Sequence, residues 1–218
     1  MSNSHAYVSV SVSKPGVGGY FGGLVGTNAD GAVIENSYAT GKVTSGGAGG
    51  LVSSNEGSIA NSFATGAVTD GGAGAANIGG LVGYNGSTGS ITNSYATGAS
   101  SAYSGSIGGL IGQNYGSVVS TYSTGSVQGT GDGVSLGGFV GSDYTSGGIS
   151  ASYWDTTTSG VTNLSDGAGN IAYDPGITGL TSEQFQSGLP AGFDPKTWTE
   201  NQNVNDGLPY LIPNPPKK

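Results

Sequence analysis

The chain lacks cysteine and arginine and carries few charged residues. Charged side chains make up 8% of its 218 residues, five lysines provide the basic groups, and the formal net charge is −8. Without cysteine, the chain can form neither a disulfide framework nor a thiolate metal site. Nucleic-acid-binding proteins neutralise phosphates with clustered Lys and Arg. The composition therefore excludes a nucleic-acid partner.

Long apolar runs and histidine pairs are also lacking. No stretch of 18 apolar residues occurs, so we expect no membrane insertion. His5 is the only histidine, which excludes histidine-based metal sites and argues against a Ser-His-Asp catalytic set. The N-terminus shows no signal peptide, but residues 3–10 align with residues 36–43. We therefore expect the chain to begin partway through a repeat, with Met1 a start codon supplied to a fragment of a longer protein.

Glycine is abundant, with 45 residues, and it belongs to a phrase that recurs five times. The copy at 79–98 reads GGLVGYNGSTGSITNSYATG, and related copies begin at residues 22, 49, 108 and 137. Their apolar anchors are separated by 27, 30, 29 and 29 residues and are Leu24, Leu51, Leu81, Leu110 and Phe139. A fixed period of this length is typical of a repeat array rather than of a linker or a disordered segment.

Each copy is predicted to form three short strands separated by turns. The Asn-x-Gly that follows the Leu-Val strand suits a turn with positive φ, and about 29 residues per unit suits one coil that must stack on its neighbours to bury its apolar side. The sequence therefore predicts an all-β fold, a β-solenoid of about five to six coils over residues 1–163, with residues 1–21 as a truncated first coil.

Stacking would place equivalent residues directly above one another. The apolar anchors would then form a ladder in the core. The second ladder is aromatic and comprises Tyr38, Phe63, Tyr95, Tyr122 and Tyr153. The third is polar, lies at one corner, and comprises Asn28, Asn55, Asn85, Asn114 and Asp143.

The last residues, 164–218, do not contain the phrase and are predicted to form a C-terminal capping segment. Residues 179–188 indicate one short helix, with Thr181 as the N-cap, Gln184 completing a capping box and Gly188 at the end. Because the open end of a solenoid exposes unpaired strands, we expect the segment to cover the last coil with Phe193 and Trp198. An independent binding domain is the alternative.

The sequence offers little for catalysis. Gly41-Lys42-Val43 resembles a phosphate-binding loop only superficially, because Val43 stands where Ser or Thr is needed. Carboxylate pairs can cleave glycosides, but the candidate pairs, Asp30 with Glu35 and Asp143 with Asp155, do not recur between copies. We predict that the chain is not an enzyme and has no catalytic residues, no metal-binding residues and no cofactor. Structural calcium stays open at acidic turns such as residues 130–133.

Binding is better supported by aromatic residues. Tyr84, Tyr115 and Tyr144 flank the polar corner but are absent from the first two copies, so packing does not require them. We predict these three residues as the ligand-binding site, while shielding of the corner backbone remains the alternative.

A column of one threonine per coil (Thr40, Thr65, Thr97, Thr124) raises ice binding as a weaker alternative. The inter-copy stretches 69–78, 100–107 and 128–136 vary in length and could also form a binding edge.

The phrase G-G-L-V-G-x-N-x-G-x-I-x-N-S-Y-A-T-G resembles the GLUG repeat. The resemblance spans roughly residues 22–161, with Ser53 replacing a glycine in copy two and Phe139 replacing leucine in copy five. It implies a bacterial cell-surface or secreted context of the filamentous-haemagglutinin-like adhesin type, and it transfers no catalytic residue.

These observations predict a section of an exported bacterial adhesin, located extracellularly or on the cell surface. Its partners would be glycans or extracellular proteins, with fibre formation or self-association open. Repeated weak sites gain avidity, which suits this role. The alternatives are a passive stalk or fibre section, an ice-binding protein and a polysaccharide-cleaving enzyme.

Overall fold

The computed structural model describes residues 1–12, 19–72 and 76–217, and within them the chain forms a β-solenoid of about six coils. Each full coil contributes strands to four sheets, in all of which the pairings are parallel. In the order in which the chain passes through them, we call these sheets C, D, A and B. The solenoid confirms the predicted fold class.

Sheets C and D hold the strands before and after each glycine pair. The strands of sheet C are β3 (Phe21–Gly22), β8 (Ala48–Gly49), β13 (Ala76–Gly79), β18 (Gly105–Gly108) and β22 (Ser135–Gly137). The strands of sheet D are β4 (Val25–Asn28), β9 (Val52–Asn55), β14 (Val82–Asn85), β19 (Ile111–Asn114) and β23 (Val140–Asp143).

Sheets A and B complete each coil. Sheet A contains β1 (His5–Ala6), β5 (Val33–Glu35), β6 (Tyr38–Ala39), β10 (Ser58–Ala60), β11 (Phe63–Ala64), β15 (Ser90–Thr92), β16 (Tyr95–Ala96), β20 (Ser117–Ser123), β24 (Ile149–Asp155) and β25 (Ile177–Leu180). Sheet B contains β2 (Val10–Ser11), β7 (Val43–Thr44), β12 (Val68–Thr69), β17 (Ser100–Ala102) and β21 (Val127–Gly129).

The predicted three strands per coil are too few. The stretch before each glycine pair was expected to be variable, but its end forms sheet C. In sheet A, a residue with positive φ separates two strand segments in the first three full coils, at Asn36, Asn61 and Asn93. Period-2 patterns shorter than four residues carry too little information to reveal such strands.

The glycine pair serves close packing rather than a turn with positive φ. A Cβ on Gly49 would lie 2.0 Å from the Val52 carbonyl oxygen, and one on Gly50 would lie 2.1 Å from the Gly80 carbonyl oxygen of the next coil. Neither glycine has positive φ. The chain therefore turns so sharply here that any side chain would strike backbone.

Residues at equivalent positions of successive copies stack as predicted. The amide of Leu51 donates to the carbonyl of Leu81 at 2.9 Å, and that of Leu81 donates to Leu110 at 2.8 Å. All three leucines are fully buried. They belong to the main interior cluster, which packs sheet D against the inward side of sheet A, while a smaller cluster fills the space between sheets B and C.

The polar corner is a buried ladder of amide side chains. Each Asn Nδ2 donates to the Oδ1 of the equivalent residue in the next coil, at 2.7 to 2.8 Å, through Asn28, Asn55, Asn85 and Asn114 to Asp143. These asparagines do not have positive φ, so the expectation of positive φ at this Asn is wrong. Their side chains instead satisfy one another in the interior.

Breaking this ladder should destabilise the solenoid. In Asn85→Leu, the Asn55 Nδ2 group loses its acceptor and Asn114 Oδ1 loses its donor. We expect the free energy of unfolding to fall by about 2 kcal/mol, because buried polar groups lose partners. Thermal or urea unfolding followed by circular dichroism measures the change. Gln128→Leu, at an exposed strand position, is the control and should shift stability by less than about 0.5 kcal/mol.

The aromatic ladder lies on the outer side of sheet A. Tyr38, Phe63, Tyr95 and Tyr122 stack with ring centroids 4.7 to 5.0 Å apart and interplanar angles of 2° to 8°. His5 aligns with Tyr38 in the sequence. It extends the ladder, with its ring centroid 4.2 Å from that of Tyr38. The neighbouring alanines of the same strands point into the main interior cluster, so the rings face away from the solenoid interior.

The predicted capping segment begins too early, because β25 still pairs in parallel with β24. Residues 181–217, which we call the C-terminal segment from here on, cover the outer ladder. The elements of this segment are α1 (Ser182–Phe185), a 3-10 turn at Asn205–Gly207 and an antiparallel pair of β26 (Trp198–Thr199) and β27 (Tyr210–Leu211). The predicted capping box of Thr181 and Gln184 is present, but the helix ends at Phe185 instead of reaching Gly188.

The expectation that Phe193 and Trp198 cover the end of the last coil is wrong. Trp198 contacts Tyr95 and Tyr122 on the outer ladder, and Phe193 packs on Trp198 with ring centroids 4.5 Å apart. The end of the interior is filled by Trp154, which is 1% exposed and donates from Nε1 to the Val161 carbonyl at 3.1 Å. Covering the outer ladder removes four stacked aromatic rings from water, which favours this placement.

Candidate functional site

The three predicted tyrosines form a strip beside the asparagine ladder, and we call them the tyrosine strip. Tyr84 lies in β14, whereas Tyr115 and Tyr144 directly follow β19 and β23. The amide of Tyr115 donates to the Asn85 carbonyl at 2.8 Å, and that of Tyr144 donates to the Asn114 carbonyl at 2.9 Å. The backbone of the ladder thus fixes where the strip lies.

The rings of the strip contact one another. Tyr115 and Tyr144 stack with centroids 4.6 Å apart at 11°, and Tyr84 is tilted by 42° at 5.6 Å from Tyr115. Tyr84 is not equivalent to the other two, because it pairs with Ser54 and Gln113. The stacked pair covers its own facing ring surfaces, so ring edges, hydroxyls and the outer side of Tyr144 remain for a ligand.

Two of the three rings of the strip are accessible. Tyr115 is 39% exposed and Tyr144 is 53% exposed. Burial, followed by the nearby charge of Glu56, raises the pKa of Tyr84. Tyr20 also lies near Tyr84 and is exposed, a neighbour that sequence reasoning missed because it precedes the first copy of the phrase.

The two carboxylates of the pair Asp143 and Asp155 lie in different sheets. Asp143 terminates the asparagine ladder in sheet D, whereas Asp155 ends β24 in sheet A. Asp155 accepts hydrogen bonds from the amide of Thr157 at 2.7 Å and from the hydroxyl of Ser182 at 2.6 Å. These contacts give Asp155 a role in holding the C-terminal segment. In the pair Asp30 and Glu35, Asp30 precedes β5 and Glu35 is the last residue of β5.

A second carboxyl group lies near Asp143. Burial, and then the charge and hydrogen bonding of Asp143, raise the pKa of Asp174 to about 6. Asp174 lies outside the repeated phrase, so sequence reasoning gave no signal for this neighbour. Across the described ranges, no three His, Cys, Asp or Glu side chains gather into a metal-binding group.

The threonine column does not form an open face. Thr97 and Thr124 line a polar cleft of about 310 Å³ between the solenoid and the C-terminal segment, together with Asp155, Ser182 and Asn205. A regular ice-binding surface needs its hydroxyls exposed, and here part of the column faces the cleft. In the described part of the chain, no helix has the length and apolar character needed to cross a membrane.

Two segments of the chain match a known repeat family. Residues 17–44 and 74–101 match the family model described as "The GLUG motif", so the chain contains a GLUG-repeat region. No curated protein and no solved structure matches the chain.

Proposed function

From a chain that contains a GLUG-repeat region folded as a β-solenoid, we propose a non-enzymatic binding section of an exported bacterial adhesin. The solenoid would act outside the cell and contact glycans or extracellular proteins through the tyrosine strip. The supporting observation is the strip itself: aromatic side chains exposed along one corner of a rigid rod, in copies where the fold does not require them.

The chemistry of the strip favours neutral sugars. Phenol hydroxyls donate and accept hydrogen bonds, and ring surfaces contact the apolar faces of sugars. The net charge of −8, with no Lys or Arg between residues 43 and 195, disfavours sialylated or sulfated ligands. Weak contacts at each solenoid would be strengthened by avidity on a surface that carries many copies.

Removing strip rings should weaken binding without unfolding the rod. We expect Tyr144→Ala to reduce binding to a neutral-glycan array about three- to tenfold, because one ring contact contributes about 0.5–1.5 kcal/mol. Tyr115→Ala should act similarly, since it also removes the support under Tyr144. Tyr103→Ala removes an equally accessible tyrosine, 66% exposed, away from the strip and should leave binding unchanged.

A passive stalk is the second candidate. It is favoured by the mutual stacking of Tyr115 and Tyr144, which hides part of the ring surface, and by continuous coil-to-coil hydrogen bonds. The same array, extended to immobilised matrix proteins, separates the two functions. If wild-type protein binds none of the glycans and none of the proteins, the adhesin proposal is wrong and the stalk is favoured.

A further inference from the structure

The asparagine ladder has a direction, and it ends at a carboxylate. Every amide in the row donates toward the next coil, so the N–H ends of the side-chain dipoles point toward Asp143. Aligned hydrogen-bonded groups polarise one another, and their donor ends stabilise negative charge. Asp143 also accepts from the Thr145 hydroxyl at 2.8 Å. The donor ends of the ladder thus all point toward the Asp143 carboxyl group.

The next coil does not extend the ladder. Asn170 uses its side chain on the backbone of Asp143 instead, accepting from the amide at 2.8 Å and donating to the carbonyl at 2.7 Å. This clamp brings the following turn, which carries Asp174, against the last rung. A second carboxyl group is therefore held beside Asp143.

Asp174 is buried and incompletely bonded. The residue is 5% exposed, and its Oδ2 atom has no hydrogen-bond partner among the described residues. The charge and hydrogen bonding of Asp143 contribute to the raised pKa of Asp174, so the two carboxyl groups are neighbours, and Asp143 is 1% exposed. Two buried carboxylates in contact repel each other and lose hydration, a cost of several kcal/mol for each ion unless a positive charge compensates.

No side chain of this part of the chain supplies that charge. The sequence contains no Lys or Arg from residue 43 to residue 195, a range that includes both acids and all the coils around them. A bound cation would compensate the two acids, because hard divalent ions are held by carboxylate, hydroxyl and water oxygens.

We propose that Asp143 and Asp174 form a calcium site that joins the fifth copy of the phrase to residues 164–180. Asp174 supplies its free Oδ2, Asp143 supplies Oδ2, Thr145 contributes its hydroxyl oxygen, and water completes the coordination. With two carboxylates, the site belongs to the weak class found in extracellular modules, with a Kd of about 0.1–1 mM. The site differs from the acidic turn at residues 130–133, where Asp132 is exposed.

Calcium should stabilise the full chain at neutral pH. After treatment with a chelator, we expect about 10 mM calcium to raise the melting temperature by about 4 °C, as mass action at this affinity predicts. Asp174→Asn should abolish the shift, and Asp132→Asn, with the same change of charge, should retain it. A wild-type chain that shows no calcium-dependent shift would overturn the proposal, as would loss of the shift in Asp132→Asn alone.

A spectroscopic probe on the folded wild-type chain avoids dependence on how Asp174→Asn folds. Terbium replaces calcium at oxygen sites and emits when a neighbouring tyrosine absorbs, and Tyr144 directly follows Asp143. We expect sensitised terbium emission that calcium displaces and that the double variant Tyr144→Phe, Tyr173→Phe strongly reduces, because these tyrosines directly neighbour Asp143 and Asp174 and phenylalanine absorbs too weakly to replace them. Emission that stays unchanged in this double variant would place the ion elsewhere and contradict the assignment. If instead the pair simply shares a proton, neither calcium nor terbium binds, and the proposal fails.

Discussion

Replacing Gly80 by alanine is expected to destabilise the solenoid by about 3 kcal/mol, because the new methyl group would overpack the interior. Its Cβ would lie 2.2 Å from the Gly109 carbonyl oxygen and 2.9 Å from the Cβ of Ala96. Backbone movement offers little relief, since the next residue, Leu81, is hydrogen-bonded to Leu110 at 2.8 Å. Unfolding by heat or urea, followed by circular dichroism, measures the loss.

Gly47→Ala is the matched control for this prediction. A Cβ on Gly47 would meet no atom within 4 Å, and Gly47 does not have positive φ. We expect its effect to stay within about 0.5 kcal/mol, because the added methyl group would meet no neighbouring atom. Equal effects of the two substitutions would mean that glycine matters here through backbone entropy, and would refute the close-packing explanation.

Removing the Trp198 side chain is expected to loosen the C-terminal segment at a cost of about 4 kcal/mol, as for other large-to-alanine core substitutions. Trp198 is fully buried, packs on Phe193, Tyr95 and Tyr122, and donates from Nε1 to Asn93 Oδ1 at 3.3 Å. Limited proteolysis of Trp198→Ala should cut within residues 181–217 well before it cuts the coils, because the coils keep their own hydrogen bonds.

Exposure of the aromatic ladder provides a second measurement for the same variant. Once the segment lifts, a hydrophobic dye should bind to the stacked rings of Tyr38, Phe63, Tyr95 and Tyr122. Ile212→Ala, at a position of the same segment that is 48% exposed, should neither speed proteolysis nor increase dye binding. Proteolysis that attacks the coils first in Trp198→Ala would show that the segment is needed to hold the solenoid together.

The candidate site was predictable in its members but not in its geometry. Tyr84, Tyr115 and Tyr144 stand out in the sequence because only some copies carry them. Their mutual stacking depends on ring orientations set by the corner backbone, which no sequence pattern records. Asp174 gave no signal at all, because it lies outside the repeated phrase and reaches Asp143 only through the clamp made by Asn170.

The sequence by itself determined the period, the parallel stacking and the register of the coils. Each repeat buries its apolar anchor only against equivalent residues of its neighbours. Five copies of one sequence pattern therefore specify a single arrangement, in which the coils stack in register. The tertiary structure alone decided which tryptophan fills the end of the interior and which covers the outer rings. Trp154 and Trp198 are both apolar and non-repeating, and their positions depend on contacts between distant residues, such as Trp198 with Asn93. Periodicity predicts contacts between equivalent rungs, whereas a segment outside the repeat buries its apolar residues against surfaces that exist only once the coils have stacked.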